Sequence, residues 1–231
     1  MEKILVTGGE GRFASVLKKA KTSLEFIYLS KKQLNILNIN SITKAIIKYK
    51  PKKIIHLAGM SRPMDAHESN ITKSINLNII GTANLVNICF KYKVKIIYFS
   101  TSYIYPGKKG DYKEADPLLP WNNYGWSKLG GEAAVQMYKN SLILRVCMTE
   151  KPFVHKKAYA NVKSNFIYQE DFIKIFLKVI NLRGILNIGG KSRTIYDFAK
   201  KYKKNVKKIF SKGEFPLKQN MNLERLNKIL K

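Results

Sequence analysis

The first fourteen residues contain the feature that most restricts the fold. An apolar run, Lys3-Ile4-Leu5-Val6-Thr7, leads into a turn with three glycines, and apolar residues then recur at helical spacing from Phe13 to Ala20. This pattern predicts a buried strand, a tight turn and a helix start. Gly8 and Gly11 allow backbone angles and close approaches that other residues do not. The helix start would favour a pyrophosphate, although a plain strand-to-helix turn has the same pattern.

Composition limits the class of protein. The chain has 231 residues, of which 45% are hydrophobic, enough for one domain or for one domain with a small appendage. Its two cysteines, Cys89 and Cys147, form no metal or disulfide motif, which predicts a reducing cytoplasm. We expect no metal site, no signal peptide before the strand at Lys3, and no membrane segment.

The net charge of +28 is the strongest compositional signal. Such a charge is typical of nucleic-acid binding through phosphate contacts. The lysines are spread along the whole chain, however, and the densest group covers only residues 200–208. We therefore interpret the charge as a solvated basic surface without specific nucleic-acid binding. This surface would still attract an anionic nucleotide substrate.

The rest of the chain alternates between strand and helix patterns. Strands are predicted at residues 24–29, 53–59, 94–99 and 142–146, and a long helix is predicted over residues 70–92. The alternation predicts an α/β fold with a Rossmann-like, doubly wound parallel sheet covered by helices on both sides. Ligands of such sheets bind at the carboxyl ends of the strands. His56, inside the third strand, is predicted to be a packed core histidine.

The end of the second predicted strand bears on the choice of cofactor. An acidic residue there would hydrogen-bond the ribose of NAD, whereas a cation accommodates the extra phosphate of NADP. The sequence has Ser30, Lys31 and Lys32 at this point and no acid, and Arg12 lies in the glycine-rich turn. The pattern favours NADP(H), with NAD(H) as the alternative.

Tyr124 and Lys128 form a pair that could carry out chemistry. They lie four residues apart and therefore share one face of a predicted helix. A phenol titrates at about pH 10, and a lysine cation nearby favours the phenolate and lowers that pKa. The fourth predicted strand ends in hydroxyl-bearing residues that include Thr101, which could hold a substrate oxygen. The pattern predicts proton transfer coupled to hydride transfer from a nicotinamide.

These motifs resemble those of the extended short-chain dehydrogenases/reductases that act on nucleotide sugars. The resemblance is strongest to the dTDP-4-dehydrorhamnose reductase-like members of the epimerase/dehydratase superfamily. The matching segments are residues 7–14, 55–59, 76–82, 100–105, 124–132, 144–145 and 185–190. The resemblance implies an NAD(P)-dependent oxidoreductase that reduces a nucleotide-linked 4-keto-6-deoxy sugar for surface polysaccharides. An NAD-dependent epimerase and a non-catalytic nucleotide-binding subunit are the alternatives.

The resemblance also implies roles for individual residues. Three would be catalytic: Thr101, Tyr124 and Lys128. The cofactor would contact Tyr124 and Lys128 together with Gly8, Gly11, Arg12, Phe13, Ser30, Lys31, Asn35, Ile36, Leu57, Ala58, Gly59 and Asn76. The substrate would contact Ser61, Arg62, Ser102, Tyr103 and Arg145. In relatives, a helix such as that of residues 122–138 often forms a homodimer interface.

Three departures from the family pattern affect the expectations. Ala14 replaces the third glycine of the fingerprint, at a position that governs helix–strand packing. Ser102 and Tyr103 stand where a 4,6-dehydratase has Asp-Glu, so elimination chemistry is not expected. The chain after Arg145 is also shorter than the family's usual substrate-binding lobe.

The expected domains are a Rossmann domain for NAD(P) over residues 1–147 and a small C-terminal substrate-binding lobe over residues 148–231. Within the lobe, residues 165–190 would return a helix and a strand to the core. Residues 148–164 would either line the substrate mouth or form a solvated loop.

Overall fold

The computed structural model describes residues 2–231, in which strands and helices alternate. The strands are β1 (Lys3–Thr7), β2 (Glu25–Leu29), β3 (Lys53–His56), β4 (Lys95–Thr101), β5 (Ser141–Val146), β6 (Met148–Thr149), β7 (Lys157–Tyr159), β8 (Lys163–Ser164), β9 (Ile167–Tyr168), β10 (Gly184–Ile188), β11 (Arg193–Thr194) and β12 (Lys207–Ile209). The helices are α1 (Arg12–Leu17), α2 (Ile39–Tyr49), α3 (Ala66–Ser69), α4 (Ile71–Ile75), α5 (Gly81–Lys91), α6 (Asn123–Gln136), α7 (Gln169–Val179), α8 (Ile195–Lys200) and α9 (Glu224–Leu230).

Six of these strands form a parallel central sheet in the order β10-β5-β4-β3-β1-β2. The chain begins at β1, adds β2 on one side, and then adds β3, β4 and β5 on the other side. The predicted α/β fold with a doubly wound, Rossmann-like sheet is therefore confirmed. The register pairs Val6 with Tyr28 and with Ile55, so the carboxyl ends of β1, β2 and β3 lie at the same edge.

The strands in the middle of this sheet are buried, with apolar residues at the centre of each and buried polar residues at their ends. All seven residues of β4 are buried, as are all four of β3. The preceding helix α2 shows how the sequence sets the limits of an element. The side chain of Asn38 caps its start by accepting a hydrogen bond from Ser41 N, and Lys50 adopts a left-handed conformation directly before Pro51.

The chain divides into two compact units. The first unit contains the residues up to Ser100, Asn123–Leu144 and Ile180–Gly184. The second contains Thr101–Asn122, Arg145–Val179 and Ile185–Lys231. This division differs from the expected boundary after residue 147, since residues 101–122 group with the C-terminal part of the chain.

The helix predicted over residues 70–92 is present, since residues 71–91 are helical without a break. It is not regular throughout, because a π-helical turn (Asn76–Ile80) lies between α4 and α5. The side chain of Asn78 in this turn accepts a hydrogen bond from Met60 N (2.7 Å) and donates to Met60 O and Ser127 Oγ, each at 2.8 Å. Tertiary hydrogen bonds thus accompany the change in helical pitch, and periodicity alone does not reveal them. The third strand ends at His56, three residues before the predicted end at Gly59, where φ is +155°.

The second unit is built from short paired strands around an aromatic core. β7 pairs with β12, β8 with β11, and β6 with β9. The core consists of Phe153, Ala158, Val162, Tyr168, Ile195, Phe198, Ala199 and Val206. Residues 148–164 therefore do not form a solvated loop, because three of them belong to this core.

Candidate functional site

The glycine-rich turn after β1 packs directly against neighbouring backbone. Gly8 has a φ of +63°, and a Cβ there would lie 2.8 Å from Ala58 N. A Cβ on Gly9 would lie 2.8 Å from Leu29 N, so neither position has room for a side chain. Gly11 N donates to Gly8 O at 2.9 Å, and no side chain caps the start of α1. The turn is therefore a cradle lined by backbone, of the kind that accommodates a pyrophosphate.

A buried hydrogen-bonded chain supports the loop after β3, whose residues are predicted to contact the cofactor. Thr7 Oγ1 accepts hydrogen bonds from Leu57 N at 3.1 Å and Ala58 N at 3.0 Å. His56 Nδ1 lies 3.0 Å from the same Thr7 oxygen, and His56 Nε2 lies 3.0 Å from Thr82 Oγ1. The side chain of His56 is 2% exposed, which confirms the predicted core histidine. Burial lowers the pKa of His56 to about 3.

Other predicted cofactor residues also belong to the first unit. Arg12 Nη2 donates to Ser61 Oγ at 3.1 Å, which brings a predicted cofactor residue to a predicted substrate residue. The Phe13 ring lies 5.2 Å from the Phe99 ring. Lys31 is exposed.

The remaining predicted cofactor residues have local partners. Ser30 N donates to Gln33 Oε1, and Asn35 Oδ1 accepts a hydrogen bond from Leu37 N at 3.0 Å. Ile36 is buried, and Asn76 is half-buried at the start of the π-helical turn. The Asn35 side-chain oxygen therefore accepts a hydrogen bond within its own loop.

Tyr124 and Lys128 lie in the first two turns of α6, on one face as predicted. The Tyr124 ring centroid lies 5.1 Å from that of His67. Lys128 Nζ lies 4.1 Å from the centroid of the Tyr98 ring, and Tyr98 donates its hydroxyl to Lys128 O at 3.0 Å. Both the side chain and the backbone of Lys128 are thus held by one buried tyrosine, in part through a cation–π contact.

Burial governs the electrostatics around Lys128. Desolvation lowers the pKa of its ammonium group to about 7, and Glu132, one turn further along α6, opposes this shift. Glu132 is fully buried. Burial, together with the charge of Glu132, also holds the pKa of Tyr98 well above the usual range for a phenol.

Four predicted site residues belong to the second unit: Thr101, Ser102, Tyr103 and Arg145. Thr101 is 5% exposed, and its Oγ1 accepts a hydrogen bond from Tyr103 N at 3.2 Å. Ser102 is buried, and the Tyr103 ring packs against the rings of Trp121 and Phe215.

Arg145 has internal partners. The side chain is 1% exposed, and Nη1 donates to Tyr105 Oη at 2.7 Å and to Glu114 O at 2.8 Å. Tyr105 in turn donates to Asn187 Oδ1 at 2.9 Å. These contacts tie Arg145 and Asn187 to residues 101–122 within the second unit. Contact between Arg145 and a substrate stays a prediction.

The sequence pattern missed a group of residues that surround Tyr124. His67 and Glu68 lie in the four-residue helix α3, and both contact the start of α6 through Asn123. So short a helix has no periodicity to reveal it, and no motif links residues 67–68 with residue 123. Within residues 2–231, no group of His, Cys, Asp and Glu side chains is arranged to hold a metal ion. No helix in that range combines the length and apolarity needed to span a membrane.

Comparison with characterised proteins identifies the family. A dTDP-4-dehydrorhamnose reductase from Aggregatibacter actinomycetemcomitans is 28% identical over 193 residues, which are 81% of this chain and 60% of that protein. Methionine adenosyltransferase 2 subunit beta from Bos taurus is 34% identical over 103 residues, which are 45% of this chain and 30% of that protein. The chain thus spans between 30% and 60% of the length of these curated relatives.

A crystal structure and a family model extend this comparison. The dTDP-4-dehydrorhamnose reductase from Bacillus anthracis, in complex with NADP, has the same fold with a TM-score of 0.87 and 22% identity. The alignment covers 98% of this chain and 91% of that chain. The model of the RmlD substrate binding domain matches residues 1–170, well over half of the sequence. The chain therefore belongs to the RmlD substrate binding domain family.

Proposed function

We propose that the protein uses NADP(H) to reduce the keto group of a nucleotide-linked 4-keto-6-deoxy sugar. The observation that carries the proposal is the placement of Tyr124 and Lys128 at the start of α6, with the Lys128 ammonium held 4.1 Å from the Tyr98 ring centroid. A tyrosine with a lysine on the same helical face can supply a proton to a carbonyl oxygen.

The residues of the first unit fit a dinucleotide. Gly8 and Gly9 keep the turn free of side chains, so a pyrophosphate can approach the backbone at the start of α1. Arg12 and Lys31 supply cations for the extra phosphate of NADP. The relative from Bacillus anthracis, whose fold this chain shares, has NADP bound. When bound, the nicotinamide supplies the hydride.

Side chains of the protein would donate the proton and bind the substrate oxygen. Tyr124 donates its phenolic proton to the carbonyl oxygen, which becomes an alcohol. Lys128 stabilises the phenolate that remains and contacts the cofactor ribose. The Thr101 hydroxyl donates a hydrogen bond to the same oxygen and polarises the carbonyl group.

Polar residues that follow two strands of the central sheet would orient the substrate. Ser61 and Arg62 follow β3, and Ser102 and Tyr103 follow β4. Arg145, which also donates to Tyr105 and Glu114, would contact the substrate. The basic surface, with a net charge of +28, would raise the local concentration of the anionic nucleotide sugar.

Replacement of Tyr124 by phenylalanine tests the proposal. The variant keeps the ring and its packing against His67 but removes the proton, so we expect turnover to fall by roughly 10²–10⁴-fold with little change in NADPH affinity. The assay measures NADPH oxidation with dTDP-, UDP- and GDP-linked keto sugars. Tyr92→Phe deletes the same hydroxyl at the end of α5 and should leave turnover unchanged. Wild-type turnover by Tyr124→Phe would contradict the assignment.

A non-catalytic subunit is the second candidate, and the 34% identity to methionine adenosyltransferase 2 subunit beta favours it. In that case the wild-type protein would bind NADP(H) but oxidise no NADPH with any of the sugars. Conversion between epimers without net consumption of NADPH would instead indicate an epimerase with a recycled nicotinamide. The same panel of substrates therefore separates all three functions.

A further inference from the structure

A fully buried histidine lies beside Tyr124. The side chain of His67 is 0% exposed, and its Nδ1 lies 2.7 Å from the hydroxyl oxygen of Ser74 on α4. Its ring centroid lies 5.1 Å from that of Tyr124, and the two planes are inclined at 65°. This is an edge-to-face arrangement, one of the favourable geometries for two aromatic rings. The imidazole thus connects α4 to the phenol ring on α6.

The same short helix also holds the start of α6. Glu68 Oε1 accepts a hydrogen bond from Asn123 N at 3.2 Å, and Glu68 Oε2 accepts one from the Asn123 side-chain amide. A carboxylate at a helix N-terminus is favourable because it pairs with free N–H groups and with the helix dipole. Residues 67 and 68 therefore hold Tyr124 from two directions, through its ring and through its helical turn.

The charge state of His67 suits this location. Burial lowers its pKa, Glu68 on its own helix opposes that shift, and Lys128 on α6 adds to it. Tyr124 is the other titratable group that faces it from α6, while α4 contributes the hydroxyl of Ser74. These influences favour the neutral imidazole, which places no second cation beside Lys128.

One atom of His67 is not explained by packing. Nε2 is buried and has no hydrogen-bond partner within residues 2–231. Buried polar atoms are nearly always hydrogen-bonded, and the exceptions are often found where a protein has a functional task.

We propose that His67 is a positioning residue for Tyr124: anchored on Ser74, its ring holds the phenol in one orientation. The inference rests on the proposed function in that Tyr124 is taken as the proton donor. A displacement of about 1 Å in a reacting group lowers a rate roughly 10²-fold. Loss of the Ser74 anchor should therefore affect the chemical step more than the binding of NADPH.

Two substitutions and one control test this role. Ser74→Ala removes the anchor and keeps the imidazole, and His67→Phe keeps a flat ring that neither bonds Ser74 nor titrates. We expect each to lower kcat with a keto nucleotide sugar by about 10- to 100-fold while the Kd for NADPH changes less than about twofold. Ser69→Ala deletes an exposed hydroxyl from α3, one that donates to Asp65 O, and should leave kcat unchanged. If His67→Phe does not fold, Ser74→Ala decides the question.

A second measurement reads the Tyr124 ring without turnover. In protein labelled with ¹³C at tyrosine Cζ, the signal of Tyr124 is the one that disappears in Tyr124→Phe. We expect the chemical shift of this signal to change when His67 takes up a proton, at a pH below the usual histidine pKa of about 6.5. This change should be absent in His67→Phe. Ser74→Ala should broaden or split the signal, because the phenol then samples several orientations.

The two readouts separate failure of this inference from failure of the proposed function. If the wild-type protein reduces keto sugars, a wild-type kcat in Ser74→Ala would overturn the positioning role. If the wild-type protein reduces none, the proposed function fails, and the NMR signal decides the positioning role. An unchanged Tyr124 signal in Ser74→Ala would then reject it, and a broadened signal would support it.

Discussion

The two compact units fix their functional residues by different means. In the first, regular strands and helices bring backbone against backbone, so that positions such as Gly8 and Gly131 admit no side chain. In the second, strands of two or three residues are supplemented by aromatic packing and by the buried guanidinium of Arg145. We conclude that close backbone packing supplements the buried hydrogen bonds of the first unit, whereas the second unit relies on aromatic packing and on side-chain hydrogen bonds between distant parts of the chain.

The largest expected effect is a loss of stability in acid caused by His56. Its pKa in the folded protein is about 3, below the value of about 6.5 in the unfolded chain. As the pH falls below 6.5 the unfolded chain takes up a proton that the folded chain excludes, so the free energy of unfolding decreases. Between pH 7 and pH 3 this group should remove on the order of 4 kcal/mol.

Urea unfolding of wild-type and His56→Asn protein at several pH values measures this contribution. The variant is less stable at pH 7, because His56 bridges Thr7 and Thr82, but its stability should decline less steeply in acid. His155→Gln, at an exposed position of the second unit, should keep the wild-type slope. Equal slopes for wild type and His56→Asn would show that the first unit does not depend on a neutral histidine.

The second expected effect concerns steric fit in α6. A Cβ at Gly131 would run into Asn78 O and would lie 2.6 Å from the Tyr98 hydroxyl oxygen. We expect Gly131→Ala to lower the free energy of unfolding by about 3 kcal/mol, despite the higher helix propensity of alanine. Gly213→Ala, in the second unit, meets no atom within 4 Å and strains only a φ of +122°, so its cost should be about 1 kcal/mol. Similar losses in thermal unfolding would remove the contrast between the units.

The third expected effect tests the hydrogen bonds of the second unit. Arg145→Met leaves the hydroxyl of Tyr105 and the carbonyl of Glu114 without their charged donor, which should cost about 2 kcal/mol of stability. Arg225→Met, at an exposed position of α9, should be neutral. A stable Arg145→Met protein with a raised KM for the nucleotide sugar would show instead that Arg145 binds substrate directly.

The contrast between the units also explains what the sequence could predict. The order of strands and helices, the glycine-rich turn and the pair Tyr124 and Lys128 depend on local spacing, which a single sequence displays. The partners of Arg145 lie 31 and 40 positions away, and Asn222 pairs with Asp111 across 111 positions. No periodicity records such contacts.

Two features within the first unit were missed for the same reason. The π-helical turn is accompanied by contacts of Asn78 with Met60 and Ser127, 18 and 49 positions away. Likewise, α3 is too short to show a pattern, so neither the imidazole of His67 nor the carboxylate of Glu68 was expected beside Tyr124. Local spacing thus predicted the catalytic pair but not the residues that surround it.

The smallest expected effect concerns cofactor selectivity and an exposed lysine of the first unit, Lys31. Lys31→Glu replaces a cation at the end of β2 by an anion, where the extra phosphate of NADP is expected. We expect the Kd for NADPH to rise roughly tenfold more than the Kd for NADH, since only NADPH carries that phosphate. Lys44→Glu makes the same change in net charge at an exposed position of α2 and should weaken the binding of both cofactors alike. Fluorescence titration at two salt concentrations measures this selectivity, which should shrink at high salt because the interaction is exposed. Equal losses for the two cofactors in Lys31→Glu would reject the preference for NADP(H).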